Sequence, residues 1–314
     1  MMNVDKIQKV AVIGAGLMGH GIAQELAQGG YEVGLNDVTE EALEKAIVRI
    51  RDNYAMLERE GLLSQGEGEK AIGLVQTSVD IGIAIDGADL VIEAVVEDLA
   101  LKLDIFEKLD AWCGSQTILA TNSSSYMPSK IAAATERPEK VVGMHYFNPP
   151  FLMPLVEIIK SNQTSDQTAQ VAYDLMVKIG KSPVMVQKEV PGFIGNRIQA
   201  AVWREILWLV EEGIATPRDI DTVVKTGLGR RLSVAGPFEL TDLTSLAMKQ
   251  AIMEELLPSL ASGQKVSVIL KEKVEGGELG IRSGRGFYEW TPESGEDLRA
   301  RVAKALIEIG KWDQ

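Results

Sequence analysis

The chain contains two histidines, His20 and His145, so the search for a general base near neutral pH has two candidates. His20 follows a glycine-rich turn and opens a helical pattern, which marks it as a packing or phosphate-adjacent residue. His145 ends the apolar run Val141-Val142-Gly143-Met144 and precedes Tyr-Phe-Asn-Pro-Pro, a stiff loop. It therefore belongs at the carboxyl end of a strand, where open α/β sheets keep their chemistry. Glu157 interrupts the next apolar run, PLVEII. A carboxylate in such a run needs a partner, and an imidazole is a suitable one. The glycine-rich turn reads Gly14-Ala15-Gly16-Leu17-Met18-Gly19 between an apolar strand and a helix. Its first glycine allows the tight turn, its second lets a pyrophosphate approach the backbone, and its third lets helix and strand pack closely. Asp37 ends the following strand, where a carboxylate accepts hydrogen bonds from both ribose hydroxyls and repels a 2′-phosphate. The expected cofactor is NAD rather than NADP.

These residues need an α/β frame. KVAVIG, YEVGLND, ADLVIEAV, TILATN and VVGMHYF read as strands, and helical patterns between the first four give βαβ units and a parallel sheet. Leu43, Ile47, Ile50, Tyr54 and Leu57 share one helical face, and with the segment through Ile72 they form an inserted helical hairpin. LVEII and SPVMVQ extend the sheet. After Pro191 strand signals fade; a long apolar helix is expected over Phe193 to Val210, and another from Thr216, a capping residue followed by proline. The expected fold class is α/β: a Rossmann-type NAD-binding domain with a helical-hairpin insertion over 1–187, then an all-α domain over 188–314.

The chain has 314 residues, enough for two domains, and a formal net charge of -13. That charge argues against nucleic acid and anionic membrane surfaces as partners. No segment is long and apolar enough to span a bilayer, and the N-terminus lacks the pattern of a secretory signal. The single cysteine, Cys113, excludes an intramolecular disulfide, reads as a buried small hydrophobe, and fits a cytoplasmic protein. Two histidines and one cysteine far apart offer no metal-ligand cluster, so no metal is expected.

The chain resembles the L-3-hydroxyacyl-CoA dehydrogenase family over essentially its whole length. The matching segments are GAGLMGHGIA at 14–23, VIEAVVED at 91–98, TNSSS at 121–125, GMHYFNPP at 143–150, PLVEII at 154–159, PGFIGNRI at 191–198, AGPFEL at 235–240 and SGRGFY at 283–288. The resemblance implies NAD-dependent oxidation of an L-3-hydroxyacyl substrate. His145 would be the base that takes the hydroxyl proton, and Glu157 would orient its ring and stabilise the imidazolium. Ser124 and Asn196 would bind the reacting oxygen, and Glu97, Lys102 and Asn122 would contact the cofactor near the nicotinamide ribose. A homodimer formed through the helical domain is also implied.

Two segments depart from the acyl-CoA enzymes. Those enzymes carry several lysines in the hairpin, whereas here IRDNYAMLEREGLL, residues 50–63, offsets Arg51 and Arg59 with Asp52, Glu58 and Glu60. Before AGPFEL stands TGLGRRLSV, with Arg230 and Arg231 adjacent, more similar to relatives acting on free hydroxy acids of the carnitine, gulonate and pyridine-carboxylate type. An arginine fork can grip a carboxylate by two hydrogen bonds, so either arginine is a candidate substrate ligand, against the alternative of a surface pair. A free hydroxy carboxylate is therefore a second expected substrate class. A non-catalytic NAD-binding protein of the lens-crystallin kind is a third reading, against which the intact His145, Glu157, Ser124 and Asn196 speak.

Overall fold

Val10 and Val12 bury on one face of the first strand and Ala11 and Ile13 on the other, so the strand must be covered on both sides. The computed structural model, which describes residues 3–312, meets that requirement with an eight-stranded sheet. The strands are β1 (Lys9–Ile13), β2 (Glu32–Asn36), β3 (Val75–Ser78), β4 (Leu90–Glu93), β5 (Ile118–Thr121), β6 (Val141–Tyr146), β7 (Leu155–Ile159) and β8 (Ser182–Val186). Their order is β3-β2-β1-β4-β5-β6-β7-β8. Every neighbouring pair is parallel except β6 and β7, which run antiparallel. The chain reverses its winding direction between β1 and β4, which opens a ligand-binding crevice at their carboxyl ends.

On one face the sheet meets α1 (Gly19–Gln28), α2 (Glu40–Arg59), α3 (Glu67–Ile72) and, further on, α7 (Asp166–Lys178). On the other it meets α4 (Ile81–Ile85), α5 (Leu99–Trp112) and α6 (Pro128–Ala132), where Ile105, Phe106, Leu109 and Ile131 fill the space above Val91 and Leu119. Helices α2 and α3 are the expected hairpin; Leu43, Ile50, Tyr54 and Leu57 are buried, and Thr39 caps α2 by accepting from the Ala42 amide. Strand β3 had no apolar run to announce it, because it is a sheet edge whose Gln76 and Thr77 face solvent.

The chain divides into two compact units, residues 1–196 and 197–314. The second is helical. It comprises most of α8 (Gly195–Glu211), then α9 (Pro217–Val223), a π-helical turn over Val224–Leu228, α10 (Gly229–Leu232), α11 (Pro237–Thr244), α12 (Leu246–Leu256), α13 (Val268–Glu275) and α14 (Pro292–Gly310). Thr216 caps α9 as expected, and Asp219 reciprocates by accepting from the Thr216 amide. Helix α8 starts two residues later than its apolar pattern, because Phe193 sits at φ 49°, outside the right-handed helical region. Among the described residues, no helix is long and apolar enough to cross a membrane and no cluster of metal-ligating side chains exists.

Candidate active site

The glycine turn leaves β1 and enters α1 with three distinct constraints. Gly14 has φ 97°, and a Cβ there would stand 2.8 Å from the Ala94 carbonyl oxygen, so only glycine fits. A Cβ on Gly19 would overlap the Gly14 carbonyl at 1.7 Å, which closes the turn onto the helix. Gly16 differs: a Cβ there would meet nothing within 4 Å, which leaves open space in front of the backbone. Leu17 is exposed beside it, and Met18 precedes α1 without a side-chain cap, so the positive helix end is left to a ligand. Asp37 Oδ2 accepts from the Ala15 amide at 2.7 Å and Oδ1 from the Val38 amide at 2.7 Å, fixing the carboxylate beside the turn. An uncapped helix start, an unfilled glycine position and a fixed carboxylate together fit an adenine dinucleotide.

His145 and Glu157 face each other directly across β6 and β7 in the antiparallel register. His145 Nδ1 lies 2.7 Å from Glu157 Oε2, with both residues buried. An ionised carboxylate only accepts, so Nδ1 carries the proton and Nε2 is left with its lone pair. Burial alone would push Glu157 upward, but the bonds from His145 and from the Gly195 and Ile194 amides outweigh it and hold the carboxyl below its usual range. Those amides donate to Oε1 at 2.8 and 2.9 Å, so one carboxylate anchors both the imidazole and the start of α8. Phe147 and Phe193 flank the ring at centroid distances of 4.7 and 5.5 Å. Asn196 follows Gly195 on α8, half-buried, with no hydrogen bond to its side chain among the described residues.

Beside the dyad, Asn122 leaves β5 and accepts from the Tyr146 amide at 2.9 Å, tying the serine loop to the residue after His145. Ser123 and Ser125 both donate through their hydroxyls to Glu97 Oε1, and the Ser125 amide adds a bond of 3.0 Å. Ser124 stands between them, exposed, with no hydrogen bond to its side chain among the described residues. Lys102 is 1% exposed; its ammonium contacts Glu93 at 2.6 Å and Glu97 at 3.2 Å. A ligand at this edge therefore meets Glu97 before it meets Lys102. Glu93, which sequence reading passed over, also accepts from Thr121 and the Val95 amide and is the hub of the cluster.

Glu97 makes an acid-stability prediction. Burial raises its pKa, but the Ser123 and Ser125 hydroxyls and Lys102 overcome this and bring it from 4.5 to about 2. Between those values the unfolded chain binds more protons than the folded one. The stability that Glu97 contributes is thus complete above 4.5 and is lost as the pH falls toward about 2. Urea melts across this interval should show a steeper acid loss for the unmodified protein than for Glu97→Gln; equal slopes would reject the assignment.

His20 is buried, with Nδ1 2.7 Å from the Gly16 carbonyl oxygen, so it braces the turn. Desolvation, with Arg49 nearby, outweighs that bond and lowers its pKa. Cys113 is half-buried, and burial pushes its thiol to about 11, away from a nucleophilic role. Arg230 and Arg231 lie on α10 in the second unit, both exposed.

Residues 9–190 match the family model for the 3-hydroxyacyl-CoA dehydrogenase NAD binding domain, and residues 192–290 match its C-terminal domain. The chain belongs to the 3-hydroxyacyl-CoA dehydrogenase family. Within it, the chain is 37% identical to a 5-formyl-3-hydroxy-2-methylpyridine 4-carboxylate 5-dehydrogenase of Mesorhizobium japonicum, over 96% of this chain and 97% of that one. A crystal structure of such a dehydrogenase, described as an NAD+ dependent dismutase, superposes with a TM-score of 0.91, covering 97% of this chain and 98% of that one. The (S)-3-hydroxybutyryl-CoA dehydrogenase of Ralstonia eutropha is 34% identical, with a TM-score of 0.77, covering 91% of this chain and 100% of that one. Members of the 3-hydroxyacyl-CoA dehydrogenase family acting on thioesters and on a ring carboxylate thus both resemble it.

Proposed function

We propose that this protein is an NAD-dependent dehydrogenase that oxidises the hydroxyl of an L-3-hydroxyacyl substrate, with His145 as base. The observation that carries the reading is the buried 2.7 Å contact between His145 and Glu157 at the carboxyl edge of the sheet that bears the glycine turn. Strand β6 stands three strands from β1, about 14 Å away at the usual strand spacing, a span that a dinucleotide crosses along this edge. Gly14, Gly16, Leu17, Met18, Gly19 and Asp37 would hold the adenosine and pyrophosphate, and Glu97 and Asn122 the nicotinamide end, with Lys102 fixing Glu97. NAD, when bound, would supply the hydride acceptor for the carbinol carbon.

His145 Nε2 takes the hydroxyl proton, and Glu157 stabilises the imidazolium that results. The free Ser124 hydroxyl and Asn196 amide hydrogen-bond the reacting oxygen and orient it toward the base. The rings of Phe147 and Phe193 tilt against the buried imidazole and make its surroundings apolar. The test is NADH formation from L-3-hydroxybutyryl-CoA beside a panel of free hydroxy acids that includes carnitine, gulonate and a hydroxymethylpyridine carboxylate. Turnover is expected; an enzyme inert toward both classes, yet binding NADH, would make it a non-catalytic binding protein.

A free carboxylate as substrate is favoured by specific features. Three of the five hairpin cations are internally paired, Lys45 with Glu41 at 2.5 Å, Arg51 with Glu69 at 3.1 Å and Arg59 with Glu60 at 3.6 Å, and the eight carboxylates over residues 40–72 outnumber all five cations. They leave little positive field for the phosphates of coenzyme A. Arg230 and Arg231, by contrast, are exposed without an ion pair among the described residues, and a relative matching over 96% of this chain is a pyridine-carboxylate dehydrogenase. Arg231→Ala should raise KM for a carboxylate substrate about 10- to 100-fold, the loss of a charged hydrogen bond, and leave thioester turnover alone. An unchanged KM for the carboxylate would return the arginines to the surface.

The proposed partner is a second copy of this chain, joined through the helical unit in the cytoplasm. Among the described residues of 197–314, Leu207 and Ile307 are the buried apolar side chains, while Phe238, Leu243, Val234 and Leu246 lie largely in solvent. That much exposed apolar surface calls for a partner. Light scattering should give twice the chain mass; a monomer at micromolar concentration would refute the assembly.

A further inference from the structure

Outside the dyad, one more buried ion pair touches the segment that follows His145. Lys181 follows Gly180 in the turn between α7 and β8, and its side chain is 5% exposed. Its ammonium pairs with Glu25 on α1 and donates to the main-chain carbonyls of Pro150 at 2.7 Å and Met153 at 3.4 Å. Apolar side chains of similar volume commonly stabilise a fold as well as a buried ion pair does. Stability alone therefore does not account for placing a lysine and a glutamate here.

The pair joins two elements that the reaction needs in register. Residues 147–154 run from the end of β6, which carries His145, to the start of β7, which carries Glu157. This segment meets α1 directly: a Cβ on Gly21 would stand 3.0 Å from the Pro150 ring. One turn further along α1, Glu25 meets the same segment through Lys181. Helix α1 begins at Gly19, the last glycine of the cofactor turn. The helix that positions the hydride acceptor and the segment that follows the base are thus joined by one buried ammonium beside the Gly21–Pro150 contact.

We propose that Lys181, held by Glu25, is a positioning residue for hydride transfer, fixing the segment after His145 against the cofactor helix. The inference rests on the dehydrogenase reading above. Lys181 touches neither substrate nor cofactor, and its effect passes through the main chain of residues 150–153. Its loss should therefore disturb the alignment of base and acceptor more than the affinity for either ligand.

The test uses the full chain and three variants, Lys181→Met, Lys181→Arg and Glu25→Gln. Each is assayed for kcat, for NADH Kd by fluorescence titration, and for the primary isotope effect with substrate deuterated at the carbinol carbon. Lys181→Met should lower kcat about 10- to 100-fold, raise the isotope effect as chemistry becomes limiting, and leave NADH Kd within about threefold. Lys181→Arg, which can still reach both carbonyls, should recover most of the lost rate. An unchanged kcat in Lys181→Met overturns the proposal, as does a kcat that falls in step with NADH affinity and melting temperature at a constant isotope effect. Should Lys181→Met fail to fold, Glu25→Gln preserves volume and the carbonyl bonds, and an unaltered rate and isotope effect in it overturn the proposal equally. Absence of turnover in the unmodified enzyme would overturn the dehydrogenase reading itself, a failure visible before any variant is made.

Discussion

Replacing His145 with glutamine is expected to lower kcat about 100- to 10,000-fold while leaving NADH affinity nearly unchanged. The range is that of losing a positioned general base. Glutamine fills much of the imidazole volume and can still meet Glu157, so the strand pair β6–β7 survives. It offers no lone pair of comparable basicity at the position of Nε2. His20 cannot substitute, because it is buried against the Gly16 carbonyl in the cofactor turn. The limb of the pH–rate profile that reports the base should vanish in the variant. Retention of that limb, or a kcat within about tenfold of the unmodified enzyme, would place the base elsewhere.

Glu157→Gln separates the electrical role of the carboxylate from its structural one. The glutamine carbonyl can keep the bonds from the Ile194 and Gly195 amides, now at 2.9 and 2.8 Å. Its NH2 group must then face His145 Nδ1, which has to accept rather than donate. The imidazole proton moves to Nε2, and the lone pair that takes the substrate proton is gone. A kcat loss of about 100- to 10,000-fold is expected, with a stability loss of only about 1–2 kcal/mol. Glu157→Ala should differ in kind. It leaves three donors without their acceptor inside the protein and should cost about 3–5 kcal/mol. Comparable melting temperatures for the two variants would mean that the anchoring bonds carry no weight.

The dyad was legible because Glu157 breaks an apolar strand, a placement that charge tolerates only with a partner. Glu93 carries the same signature inside VIEAVV and went unread, because its partner Lys102 lies on a helix whose charges look solvated from sequence alone. The parallel strands were legible as short apolar runs, since both faces are covered. Edge strand β3 was not, because it buries too little to leave a pattern. The antiparallel turn of β7 was equally hidden: an apolar run has the same composition in either direction. Phe193 looked like the first residue of a helix, yet Gly192 and Phe193 both take positive φ, and tertiary contacts with His145, Ile159 and Val186 hold the phenylalanine there. Glu25 and Lys181 are far apart in sequence, and each alone reads as an ordinary surface charge.

Glu157 divides its two oxygens between an imidazole and a pair of peptide groups. Any charge that His145 gains draws electron density toward Oε2 and weakens what Oε1 offers to Ile194 and Gly195. The two peptide groups are thus wired to the imidazole by one carboxylate, with no side chain intervening. Their amide resonances form a native indicator for the base, readable by spectroscopy with no substrate present.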